Sequence, residues 1–255
     1  MKKKLLLPAL ITAFFGHTLF AQKTDSTKKS FHLTGVVSVT NNGISFIPSF
    51  SLGKPAAIFN LSMGKGKLSF EPEMRFALEG KPWSFLFWWR YQLMKTDKFA
   101  IRLGVHPALN FKTQTVSING VSKDAMVVRR YLAGELTPNY FLSENISVGL
   151  YYLYSRGIDK DAVRNTHFLT INANFSHISI TNQYFLKLVP QLYYLKQDQQ
   201  DGFFVTSSAT LAKRNFPLSV SAIVNKRIES NITGSKNFVW NATLVYSFNK
   251  KYVEK

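Results

Sequence analysis

The chain has no cysteine. That excludes a disulfide scaffold, Cys-ligated zinc, an iron–sulfur cluster, a thiol nucleophile and a lipoprotein anchored through an N-terminal Cys. Acidic residues are scarce too: 14 Asp and Glu face 32 Lys and Arg among 255 residues, a formal net charge of +18. Such an excess points to polyanionic partners, either nucleic acid or the phosphate-rich face of a membrane. Long apolar runs are missing as well. Beyond residue 21 none approaches the roughly 18 residues that would mark a membrane-spanning helix. What is abundant is apolar surface, 45% hydrophobic residues with 22 Phe, 11 Tyr and 4 Trp, which rules out disorder and low-complexity scaffolding.

The N-terminus has the layout of a secretory signal. Met1 to Lys4 is basic, Leu5 to Phe15 is apolar apart from Pro8 and Thr12, and Thr18-Leu19-Phe20-Ala21 precedes Gln22 as a small-residue cleavage site. The apolar stretch is too short for a ~30 Å hydrocarbon core, so residues 1–21 read as a removed signal and 22–30 as a polar N-terminal segment. Export turns the basic excess away from nucleic acid.

From there on the pattern has period two. Phe99, Ile101, Leu103, Val105, Pro107, Leu109 and Phe111 alternate with Ala100, Arg102, Gly104, His106, Ala108, Asn110 and Lys112. Only a strand puts those sets on opposite sides. The same split marks Leu68–Leu78 and Phe238–Phe248, and shorter versions recur at Trp83–Leu93, Val128–Tyr140, Ile146–Ser155, His167–Phe175, Tyr184–Leu195, Phe203–Ala212 and Leu218–Asn225, with weaker ones at Phe31–Thr40 and Ile44–Met63. Turn residues such as Asn41-Asn42-Gly43 and Gly80-Lys81-Pro82 separate them. The class is all-β in one domain.

Many of these stretches run to ten or more residues, the length of a tilted transmembrane strand of ~9–11 residues, whereas sandwich strands are nearer ~5–6. Aromatics bunch at strand ends, among them Trp83, Phe99, Tyr140, Tyr184 and Phe238, as interfacial girdles do. With the signal and a last strand, Leu244-Val245-Tyr246-Ser247-Phe248, that ends in an outward Phe, the sequence resembles the small, Bacteroidota-like outer-membrane β-barrel proteins of Gram-negative bacteria. The resemblance covers Phe31 to Phe248 and matches no single named family. It implies an antiparallel transmembrane barrel over 31–248, residence in the outer membrane among its lipids and lipopolysaccharide, and passage through the barrel-assembly machinery. Asn249 to Lys255 follow as a basic tail. Even strand number gives twelve strands if Ile44–Met63 is one strand bent at Gly53-Lys54-Pro55, and fourteen if it is two; twelve is preferred. Thr113–Val127 is read as a long outer loop.

Alternation projects Arg75, Arg90, Arg102, Lys112, Arg129 and Lys187 into the lumen against Glu71, Glu73 and Glu135, a positive wall. A two-residue turn at Gly80-Lys81 would set Glu71 opposite Arg90, and the next hairpin would set Arg90 beside Arg102 and Trp88 beside Gly104, whose missing side chain leaves room for the indole. Glu71 and Glu73 point the same way along one strand, which suits ion pairing better than acid–base catalysis. No Gly-x-Ser-x-Gly elbow, His-Glu-x-x-His helix or phosphate loop occurs, and the acidic turns at Asp159-Lys160-Asp161 and Asp198–Asp201 are ordinary loop tips. No cofactor is implied. The reading is a narrow channel for small, preferably anionic, solutes. The alternatives are a closed structural or interaction barrel and, third, a lipid-modifying enzyme.

Overall fold

Two-faced strands of this length leave backbone groups that lipid cannot satisfy, so they are stable across a bilayer only when the sheet closes on itself. The computed structural model does this and describes residues 31–118 and 121–252. Its strands are β1 (Phe31–Thr40), β2 (Ala56–Lys65), β3 (Leu68–Ala77), β4 (Pro82–Lys95), β5 (Phe99–Ile118), β6 (Val121–Phe141), β7 (Ile146–Gly157), β8 (Asn165–Ser179), β9 (Tyr184–Gln197), β10 (Gln200–Lys213), β11 (Leu218–Ser230) and β12 (Phe238–Tyr252). Each pairs antiparallel with its sequence neighbours, and β1 closes the ring against β12, from Phe31 opposite Tyr252 to Thr40 opposite Thr243. The expected twelve-stranded barrel forms. The signal at 1–21, the segment 22–30 and residues 253–255 lie outside the described residues.

The two faces separate as the alternation requires. Val105, Leu132, Ile171, Val220, Trp240 and Leu244 point outward and are exposed, while Ala108, Tyr131, Glu135, Thr170 and Asn241 point inward and are buried. A continuous exposed apolar belt of this kind suits hydrocarbon, not water. Leu103 lies in the belt, so Leu103→Arg is expected to cost ~2–4 kcal/mol of unfolding free energy in urea titrations in lipid vesicles.

Three segments differ from the sequence expectation. Ile44–Met63 is not a bent strand: residues 41–55 leave the wall and turn into the lumen, with a short 3₁₀ turn at Pro48–Phe50, and β2 begins only at Ala56. Thr113–Val127 is not a loop, since β5 and β6 continue pairing from Phe99 opposite Tyr140 out to Ile118 opposite Val121. At about 3.3 Å per residue these strands outreach a ~30 Å hydrocarbon core even when tilted, so the hairpin stands beyond the rim. Finally, β12 runs to Tyr252, so Asn249 to Tyr252 of the basic stretch are strand.

The turns 66–67, 96–98, 142–145, 180–183 and 214–217 and both ends of the described chain share one end of the barrel; the opposite, far end carries residues 41–55, the turns 78–81 and 198–199, the β5–β6 extension and the connections 158–164 and 231–237.

Candidate functional site

The nine charged residues that alternation assigns to the lumen lie on strands, Glu71, Glu73 and Arg75 on β3, Arg90 on β4, Arg102 and Lys112 on β5, Arg129 and Glu135 on β6, and Lys187 on β9. Six of them are paired, four in one cluster and two in a separate pair. Arg90 donates from Nε to Glu135 Oε1 at 2.6 Å and from Nη2 to Glu135 Oε2 at 3.2 Å, and its Nη1 donates to Glu71 Oε2. Arg102 Nη1 lies 3.9 Å from the other Glu71 oxygen, which also accepts from Ser69 Oγ at 2.7 Å. Arg75 is paired with Glu73 on its own strand. The Glu135 side chain is fully buried and those of Arg90 and Glu71 are 16% and 19% exposed, so these charges are held by one another and not by water.

The strand register that makes this group differs from the expected one by two residues. Glu71 faces Trp88 and Ser69 faces Arg90, because the β3–β4 turn occupies residues 78–81 and Trp83 is inserted as a bulge between the pairs Arg75–Ser84 and Phe76–Pro82. Arg90 then faces Gly104, and Trp88 lies level with His106, their rings 3.8 Å apart. The room at Gly104 is taken by Glu135, directly opposite it, and not by the Trp88 indole: a Cβ there would come within 2.8 Å of the Glu135 side chain. A slip of two preserves which face each side chain uses, so Arg90 still reaches Glu71, diagonally.

The remaining cations are unpaired. Among the described residues no carboxylate lies within ion-pair distance of Lys112, Arg129 or Lys187, and Arg129 Nε is buried without a hydrogen-bond partner. Lys112 and Arg129 lie toward the far end. There, Lys112 with Lys54 and Lys81 borders a cavity of about 310 Å³.

Sequence reasoning missed the inward segment. Its neck is pinched by Gly43 N–H donating to Lys54 O at 2.8 Å and by Leu52 and Gly53 N–H donating to Gly43 O at 2.9 and 3.0 Å, which makes 43–54 a closed loop hanging in the lumen. The bulge aims Trp83 inward instead of into an interfacial girdle, and its Nε1 donates to Phe50 O at 2.6 Å. Asn110 Nδ2 donates to Ser49 O and Gln197 Nε2 to Ser49 Oγ, both at 3.2 Å, so the loop tip bridges β5 and β9. Phe50 packs on Tyr131 with ring centroids 4.9 Å apart. Phe46 lies against Tyr193 at 5.6 Å and parallel to Phe168 at 6.3 Å. Around Phe46 and Ile47 an apolar cluster of Trp88, Leu153, Phe168, Tyr193, Leu195 and Phe204 fills a region that open porins keep polar. The signal was available: these are large apolar residues on the same strand face as Glu135 and Thr170.

On the termini side of the loop lies a cavity of about 760 Å³, walled by amides and hydroxyls and roofed by Phe46, Tyr151 and Phe168. Catalytic constellations are sparse. Ser62 Oγ lies 3.4 Å from His32 Nε2, too long for a strong bond, and no carboxylate contacts that ring among the described residues. His106 has its Nδ1 3.2 Å from Pro107 O and packs at a tilt against Trp88; no group of His, Asp and Glu that could hold a metal occurs among the described residues.

Solved structures share this architecture. The chain is similar to a KdgM porin in complex with disordered oligogalacturonate, with TM-score 0.52 and 12% identity over 85% of this chain and 99% of that one. The fold is that of an outer-membrane β-barrel. It is also similar to an outer membrane channel from Pseudomonas putida F1, with TM-score 0.50 and 10% identity over 86% of this chain and 96% of that one. At such identities the likeness is one of fold, and it gives no support to a Bacteroidota source. No family model matches the sequence, and no curated protein matches it.

Proposed function

We propose that the protein is an outer-membrane channel for small solutes, with a preference for anions, whose resting state is held narrow by the loop at 41–55. Its short-turn end would face the periplasm and its far end the exterior, as in bacterial barrels generally. One observation carries this reading: a single loop, fixed by two side-chain hydrogen bonds to Ser49, one to Phe50 O and a few aromatic contacts, lines a cavity of about 760 Å³ with Ile44 to Ile47 and one of about 310 Å³ with Ser51, Leu52 and Lys54. Moving that loop would widen the lumen between them without unpairing any strand.

The anion preference rests on what remains after pairing. Glu71, Glu73 and Glu135 are spent on Arg75, Arg90 and Arg102, so Lys112 and Arg129 at the far end and Lys187 toward the near one set the field. A confined, poorly screened passage repels ions of like sign more strongly than bulk water allows. In planar bilayers with a salt gradient, the reversal potential is expected to show chloride preferred over potassium, and the pair Lys112→Gln and Arg129→Gln should lower that preference severalfold. Cation preference in the unmodified protein would refute the charge assignment. No current at any voltage would instead favour the closed, structural barrel, for which the aromatic packing of Phe46 speaks.

A further inference from the structure

We propose that the larger cavity is a binding site for an uncharged, polyhydroxylated solute, a small sugar or polyol. Its size, about 760 Å³, falls among the ~300–1,000 Å³ of small-molecule sites. Its wall presents the side-chain amides of Asn60 from β2, Asn139 from β6, Asn172 and Asn174 from β8, and Gln191 from β9. None of the five amides makes a hydrogen bond within the described protein. Thr137 and Thr170 also line the cavity, and their hydroxyl oxygens are buried without a partner, with Thr170 only 2% exposed. The five amides are only partly buried and open onto the cavity, and the two threonine hydroxyls behind them are buried and unspent, so this concentration of donors and acceptors without protein partners around one space marks it as suited to a polar occupant.

Charge and shape narrow the class. Among the described residues, Glu73 and Arg75 are the only charged ones on the cavity wall, and they are paired with each other. An anion would find no free cation there, and a cation no free carboxylate. An amide both donates and accepts, as a hydroxyl does, so an amide-rich wall is matched by a ligand rich in hydroxyls. Phe46, Tyr151 and Phe168 give the roof aromatic faces against which the C–H face of a sugar ring can pack. Gly149 lets the amides converge: a Cβ there would lie 2.2 Å from Asn139 Oδ1 and 3.2 Å from Asn172 Oδ1. The mouth cations act on small mobile ions, whereas this wall acts on a bound molecule, so the site goes beyond the conduction reading.

The test is calorimetric titration of the whole protein, solubilised in a non-glycosidic detergent, with maltose. Saturable binding is expected, weakened about tenfold by Asn172→Leu and by Gln191→Leu, each removing one or more hydrogen bonds to the ligand. Gln191→Leu removes an amide that has no hydrogen-bond partner among the described residues, so the heat-modifiable gel shift of that variant should match the unmodified protein; this separates lost binding from lost folding. Absence of saturable heat with maltose, unchanged binding in both variants, or tighter binding of glucuronate than of glucose would each overturn the site. Because no current is read, a barrel that binds maltose but does not conduct would reject only the channel, and one that conducts without binding would reject only the site.

Discussion

Replacing residues 44–52 with a short Gly-Ser linker, while keeping the neck at Gly43 and Lys54, is expected to raise single-channel conductance roughly tenfold, since an apolar constriction that excludes water also excludes ions. The ladder hydrogen bonds of all twelve strands are untouched by this change, so the variant should insert and keep its heat-modifiable gel shift. What is lost is the packing of Phe46 on Phe168 and Tyr193, of Phe50 on Tyr131, and the hydrogen bonds that Trp83, Asn110 and Gln197 direct to the loop. A smaller lesion should act in the same direction: Phe46→Ala removes the ring that roofs the larger cavity. A loop-replaced barrel as silent as the parent would show that wall side chains, not the loop, close the lumen.

The largest expected loss of stability follows Arg90→Met. It leaves the fully buried Glu135 carboxylate and the Glu71 carboxylate without their shared guanidinium, and breaking a buried pair from one side costs about 3–5 kcal/mol. Urea unfolding in detergent should register it, and a change below about 1 kcal/mol would mean that water enters the cluster freely. Exchanging the charges, Glu71→Arg with Arg90→Glu, is expected to give no rescue. The new carboxylate at position 90 would face Glu135, the residue against which Arg90 now forms two hydrogen bonds. Glu135→Gln should be milder than Arg90→Met, because Arg90 keeps Glu71 and the amide oxygen still accepts.

Much of the barrel was legible because period-two patterning resolves faces residue by residue. The inward placement of Glu71, Arg90 and Glu135 needs only parity. Register needs turn geometry as well, and the four-residue turn at 78–81 with the inserted Trp83 has no distinctive signature beside Gly80-Lys81-Pro82. The inward loop was hidden by mimicry: Ile44, Phe46, Pro48, Phe50 and Leu52 alternate with Ser45, Ile47, Ser49 and Ser51 much as strand residues do, though what Phe46 and Phe50 bury against is the lumen side of β6, β8 and β9. The β5–β6 extension was hidden for the opposite reason. Strands beyond the bilayer have no lipid to face, so Thr113–Val127 lost the alternation while keeping its backbone pairing.

The ladder between β1 and β12 has a kinetic meaning. Every other ladder joins neighbours along the chain and can form as a local hairpin, whereas this one brings together groups such as Thr40 and Ala242, 202 positions apart. Closing so long a loop costs about 5 kcal/mol of chain entropy before any of its ten pairs is gained. Until then both outermost strands offer unpaired backbone to any passing strand. Ring closure should therefore be the slow step of refolding into vesicles, and the stage at which crowding by a second chain diverts the product into aggregates.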